Sequence, residues 1–74
     1  MPAYRPSRGV KVPRLRFYRE RLALSQQDLA DKAGVGRSTV ARGEHDEEIR
    51  VSSVRRLARA LRVTPLQLQE PRVE

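Results

Sequence analysis

The sequence predicts an all-α domain of four to five short helices, and three observations carry that expectation. Apolar residues recur every three or four positions in several short segments, which is the period of an amphipathic helix. Residues that start or stop helices bracket those segments at Pro13, Ser25, Gly34 and Thr64-Pro65. No segment alternates apolar and polar residues as a half-buried strand does, and there is no internal repeat. The 74 residues leave room for one domain with one small core. Below about 80 residues hydrophobic stabilisation is marginal, so a helical bundle or a dimer is the natural solution.

Residues 1–12 hold Pro2, Pro6 and Gly9 with Arg5, Arg8 and Lys11 and lack a periodic apolar pattern, so they read as a flexible basic arm. From Pro13, whose fixed φ suits a first helical turn, Leu15, Tyr18 and Leu22 recur at helical spacing among charged residues. Ser25 can cap a second helix, with Asp28 where a capping box usually has Glu or Gln. That helix turns Leu29, Ala30 and Ala33 inward, and Gly34 ends it because glycine reaches positive φ at low steric cost. After the turn Gly34-Val35-Gly36, a third helix from about Arg37 to Glu44 buries Val40 and leaves Arg37, Ser38, Ala41 and Arg42 toward solvent. Asp46, Glu47 and Glu48 read as an acidic loop. Val51, Val54, Leu57, Ala58 and Leu61 mark a fourth helix with Arg55, Arg56, Arg59 and Arg62 outside. Thr64-Pro65 supplies the N-cap and first position of a short fifth helix anchored by Leu66 and Leu68. The expected domain is therefore 13–70, with a loose tail at 71–74. Its core should be mostly Leu15, Tyr18, Leu22, Leu29, Ala30, Val40, Val54, Leu57, Leu61 and Leu68.

Sixteen Lys and Arg against nine Asp and Glu give a formal charge of +7. Such a field attracts a polyanion, and arginine forks hydrogen bonds onto phosphates and base edges, which makes nucleic acid the leading partner class. An arginine-rich proteome would raise the charge without any function, so composition alone does not decide. Aromatic residues are 4% of the chain, too few for the stacking platforms of single-strand binders, which favours duplex DNA. Without cysteine there is no disulfide or thiolate metal site, and His45 cannot hold a metal alone, so no metal or cofactor is expected. The absence of cysteine fits a reducing cytoplasm. The apolar runs fall far short of the roughly 20 residues of a membrane helix, and the N-terminus lacks the apolar core of a signal peptide. An enzyme is not expected either, because clustered carboxylates, a nucleophile with its base and a phosphate-cradling glycine loop are all missing from the sequence.

Residues 25–44, SQQDLADKAGVGRSTVARGE, have the logic of two helices crossing steeply over a short turn. The residue at the crossing must be small and the turn must admit glycine, needs that Ala30 and Gly34 meet. Leu24, Ser25, Gln26, Leu29, Ala30, Gly34, Val35, Val40 and Glu44 are followed at fixed spacing by Val54, Leu57, Ala58, Ala60, Leu61, Val63 and Thr64. As a set they resemble the phage repressor and Cro family of regulators, often called Xre-like, over about Leu15 to Leu68.

The resemblance implies a compact lambda-repressor-like domain that binds double-stranded DNA and regulates transcription in a prokaryote or phage. The third helix would be the recognition helix in the major groove, with Arg37, Ser38, Ala41 and Arg42 at base edges. Gln26, Thr39 and His45 would meet the phosphate backbone, Gln26 beside the free amides of a helix N-terminus. Arg19 and Glu44 match a structural pair that bridges the first and third helices. A homodimer, formed on DNA, would use the apolar fifth helix and tail around Leu66 to Val73.

Several assignments stay open between two roles. Arg5, Arg8 and Lys11 either follow a groove or belong to an unstructured arm. His45 is a phosphate ligand or an ordinary loop residue, and the arginines of the fourth helix touch DNA or form a solvated face. A competing function is an antitoxin-like or phage accessory module in which the same fold holds a protein partner, and exposure of Phe17 would favour it. Three positions depart from the family pattern. Gly43 stands where relatives carry Ile or Leu, which predicts a missing core contact and a frayed helix end. Asp46 replaces a frequent glycine, and Arg50 replaces a small N-cap residue.

Overall fold

The structure is a computed structural model and describes residues 9–71. In chain order it contains β1 (Gly9–Val10), α1 (Leu15–Arg21), α2 (Gln26–Ala33), α3 (Arg37–Glu44), β2 (Ile49–Arg50), α4 (Val51–Leu61) and α5 (Pro65–Gln69). The five helices are those expected from the sequence.

Helix α1 buries Leu15 and Tyr18, and the Arg14 amide donates to the Leu68 carbonyl at 3.2 Å, tying its start to α5. Leu22, expected in the core, is 46% exposed. The helix ends one residue earlier, and Ala23 takes a left-handed φ of 57° that swings the chain away. Leu24 is the residue that then packs against the core.

Helix α2 opens with a reciprocal capping box. The Asp28 amide donates to Ser25 Oγ at 2.9 Å, and the Ser25 amide donates to Asp28 Oδ2 at 3.0 Å. The shorter aspartate thus does the work of the usual glutamate, and these bonds hold its carboxyl below the ordinary range. Gly34 ends the helix at φ 73° with its amide on the Ala30 carbonyl. Ala30, fully buried, lies in the helix that packs against both α3 and α4.

Helix α4 buries Val54, Leu57, Ala58, Ala60 and Leu61. Thr64 and Gln67 form a second capping box at the start of α5, with Pro65 at its first position. Leu68 is buried as expected, but Leu66, read as its fellow anchor, is 67% exposed. A five-residue helix turns only one such side chain inward.

The chief departure from an all-helical reading is a small antiparallel pair, with Gly9 opposite Arg50 and Val10 opposite Ile49. Two residues per strand are too few to show alternation in a sequence. Val12 and Ile49 both enter the core, so residues 9–12 pack onto the helices where the sequence suggested an unstructured arm. A side chain at Gly9 would bring its Cβ within 2.6 Å of the Glu48 Cβ, so only glycine lets the two segments approach this closely.

Each of the three unusual positions has a structural explanation, which for Gly43 and Arg50 involves the N-terminal segment. Gly43 is buried, not frayed: a Cβ there would lie 2.8 Å from Leu15 Cδ2 and 3.0 Å from Val12 Cγ2. The volume expected of a large residue at 43 is filled from the N-terminal side. Asp46 adopts φ 62°, a left-handed conformation that glycine meets freely and aspartate tolerates. Arg50 is the N-cap of α4 without a side-chain cap bond, and strand pairing fixes its backbone instead.

Candidate nucleic-acid interface

Helices α2 and α3 pack directly against each other across the turn Gly34-Val35-Gly36. The turn is braced by the Gly34 and Val35 amides, which both donate to the Ala30 carbonyl. From the other side Arg56 Nη1 donates to the Gly34 carbonyl at 3.2 Å. The sequence leaves Arg56 between DNA contact and a solvated face and carries no signal for this bond, since a backbone acceptor leaves no mark in the sequence.

Val40 and Gly43 form the inner side of α3. Arg37, Ser38 and Arg42 are exposed, and Thr39 and Ala41 are half-buried at its margins. Short and long polar side chains therefore stand side by side on one short helix, over a backbone fixed from beneath.

That fixing comes largely from Glu44, at the end of α3. Arg19 Nε donates to Glu44 Oε2 at 2.5 Å and Arg19 Nη2 to Oε1 at 3.0 Å, a forked pair between α1 and α3. Arg19 Nη1 reaches the Leu24 carbonyl at 2.8 Å, and Gln26 Nε2 donates to Glu44 Oε1 at 3.0 Å. One carboxylate thus joins α1, α2 and α3. The side chains of Arg19 and Glu44 are only 12% and 5% exposed. Burial pushes the Glu44 carboxyl up, but the hydrogen bonds from Arg19 and Gln26 outweigh it and hold the group below the usual carboxylate range. The bond to Glu44 likewise raises Arg19. The expected pair is present, and Gln26, expected only as a DNA contact, is also part of it.

His45 is the C-cap of α3, exposed, with Nδ1 2.9 Å from the Ala41 carbonyl. A carbonyl only accepts, so Nδ1 carries hydrogen and Nε2 is the ring atom left for another partner. Lys11 is exposed beside β1, whereas Arg5 and Arg8 lie outside the described residues. Arg55, Arg56, Arg59 and Arg62 are all exposed, as expected. Lys32, Arg56 and Arg59 rim an open groove of about 360 Å³ between α2 and α4. Phe17 is 47% exposed. Its ring meets Tyr18 edge-on at 5.1 Å and lies under the Arg14 guanidinium at 4.6 Å.

The chain belongs to the helix-turn-helix family, whose profile matches residues 15–68. It has the fold of DNA-binding transcription regulators of the Xre-like type. Among solved structures it is similar to the restriction-modification controller protein C.AhdI from Aeromonas hydrophila, at 35% identity over 76% of this chain and 86% of that one, with a TM-score of 0.69. It is similar to SinR, the master regulator for biofilm formation, solved in complex with DNA, at 25% identity over 78% of this chain and 95% of that one, with a TM-score of 0.72. The N-terminal DNA-binding domain of SinR from Bacillus subtilis shares the fold at a TM-score of 0.73, with 24% identity over 88% of this chain and 97% of that one. No curated protein sequence matches the chain. Among the described residues no helix is long and apolar enough to cross a membrane.

Proposed function

We propose that this chain is a sequence-specific, double-stranded DNA-binding regulator of transcription that lays α3 in the major groove. The observation that carries the reading is α3 itself. Its outer side offers Arg37, Ser38, Ala41 and Arg42, while Glu44 locks its far end to α1 and α2. Arginine forks onto guanine O6 and N7, and the Ala41 methyl suits a thymine methyl. A rigid helix lets such contacts discriminate, because a side chain on a mobile support would reach several bases equally.

The backbone contacts follow from the same frame. The Gln26 and Gln27 amides lack intrahelical acceptors, the Asp28 amide being taken by Ser25, and Gln26 keeps a second side-chain amide hydrogen beyond the one given to Glu44, so these donors can meet one phosphate. Thr39 lies at the flank of α3, and His45 can reach a phosphate through Nε2 when the ring carries both protons. The formal charge of +7 draws the protein to DNA, with Lys11, Arg5 and Arg8 available to a neighbouring groove. Two copies on a palindrome, meeting through exposed Leu66 and the residues after it, complete the reading, and a cytoplasmic location fits it.

Selection of bound duplexes from a random pool tests this directly. An enriched palindrome is the expected result, and a pool that stays random after several rounds would remove sequence-specific recognition. The exposed Phe17 between arginines supports a second reading, an antitoxin-like or accessory module that holds a protein partner. Under that reading Phe17→Ala abolishes partner capture, while duplex selection yields no preferred site.

A further inference from the structure

The N-terminal segment fills a space that Gly43 leaves open at the end of α3. Val12 is 0% exposed, and its Cγ2 lies 3.0 Å from where a Cβ on Gly43 would be. Leu15 Cδ2 and Ile49 Cδ1 close the same space at 2.8 and 3.6 Å. Val12 is held there by its neighbours on both sides. Val10 pairs with Ile49 before it, and the Leu15 amide donates to the Val12 carbonyl at 3.0 Å after it. The glycine and the valine are therefore two halves of one fit: the last turn of α3 sits low because residue 43 has no side chain, and Val12 fills what remains.

We infer that Val12, presented by β1, is a positioning residue for α3, setting how far the end of that helix stands out from the domain. The inference rests on α3 being the helix that reads DNA. Glu44 anchors the helix through charge, and Val12 sets its height through volume. Residues 9–12 then belong to the DNA-reading unit even though none of them need touch a base.

The physical signs make this testable with a size swap in the full chain. Gly to Ala inside an open helix stabilises a protein by lowering the entropy lost on folding. Here Gly43→Ala should do the opposite and lower the melting temperature, because Leu15 and Val12 must move. Val12→Ala should loosen the end of α3, seen as faster amide exchange from Arg42 to His45, and weaken binding to the selected duplex by about tenfold. Binding to a random duplex should change little, since phosphate contacts tolerate a small shift of the helix. The double variant Val12→Ala with Gly43→Ala should recover most of the melting temperature and of the selectivity, as the lost methyls give Leu15 room to retreat.

A higher melting temperature for Gly43→Ala alone would overturn the inference. So would a parallel loss on both duplexes in Val12→Ala, which marks a role in stability only, or a double variant no better than the sum of the two. If the unmodified chain selects no duplex at all, the proposed function fails. The signs of the melting and exchange changes then still decide whether Val12 sets the position of α3.

Discussion

The two ends of α3 are held by opposite means. Its first half, from Arg37 to Val40, rests on apolar packing and a tight turn, with Val40 buried and the Gly34-Val35-Gly36 backbone bonded to Ala30. Its last turn is fixed by a nearly buried ion pair on one side and by a glycine packed under Val12 and Leu15 on the other. The difference teaches that a short helix meant to present polar side chains cannot be held by its own apolar face alone. With Val40 and Gly43 as its only buried residues, α3 has too little inward surface, and the rest of its placement comes from contacts brought from α1, α2 and the strand pair.

The largest expected effect comes from breaking the polar end. Glu44→Ala leaves Arg19 nearly buried and without its carboxylate, which costs about 3 kcal/mol or more. Urea titration followed by circular dichroism measures it. Replacing both partners by apolar residues of similar size should cost clearly less than either single change, because no uncompensated charge remains. A double-variant loss equal to the sum of the two single losses would mean that the pair contributes nothing specific.

On the outer side of α3, at Arg37 and Arg42, the effects fall on binding and leave stability intact. Arg37→Ala or Arg42→Ala should cost roughly 1 to 3 kcal/mol on the preferred duplex and relax selectivity at one G·C pair. A lysine at either place should restore affinity in part but not the preference, since an ammonium lacks the fork. Gln26→Ala should instead weaken preferred and random duplexes alike and, by loosening Glu44, lower stability as well. Fluorescence anisotropy with a panel of single base-pair variants of the selected site separates these patterns.

Acid gives a gentler probe of the same contrast. The Glu44 carboxyl is depressed in the folded state, so its contribution is present above the ordinary glutamate range and fades as the pH drops through the lower folded value. Stability should therefore fall on acidification more steeply in the natural chain than in Glu44→Gln, when melting temperatures are compared across the acid range. Identical slopes would show that Glu44 is not depressed. Asp28, whose carboxyl is depressed by the Ser25 bonds, contributes in the same direction in both chains and drops out of the difference.

The smallest effect is expected at the turn. Arg56→Ala removes an exposed bond to the Gly34 carbonyl and should cost about 0.5 kcal/mol, the scale of a solvent-accessible hydrogen bond. A loss several times larger would mean that α4 helps to hold the turn as firmly as Ala30 does.

The helices, their caps and the α2–α3 unit were legible in the residues because each depends on local chemistry. Ser25 with Asp28, Gly34 at positive φ and Thr64-Pro65 act within a few positions of themselves. The Arg19 and Glu44 pair was legible through resemblance alone, since nothing near either residue marks a partner 25 positions away. The strand pair, the Gln26 and Arg56 bonds and the exposure of Leu22 and Leu66 were not legible. By itself the sequence determined which segments become helices and which of their faces turn polar, because periodicity and capping are properties of a single segment. Only the tertiary structure decided that Gly43 is a fit and not a defect. The space a side chain would occupy there is filled by Val12 from thirty-one positions earlier in the chain, and volume is a property of the assembled core.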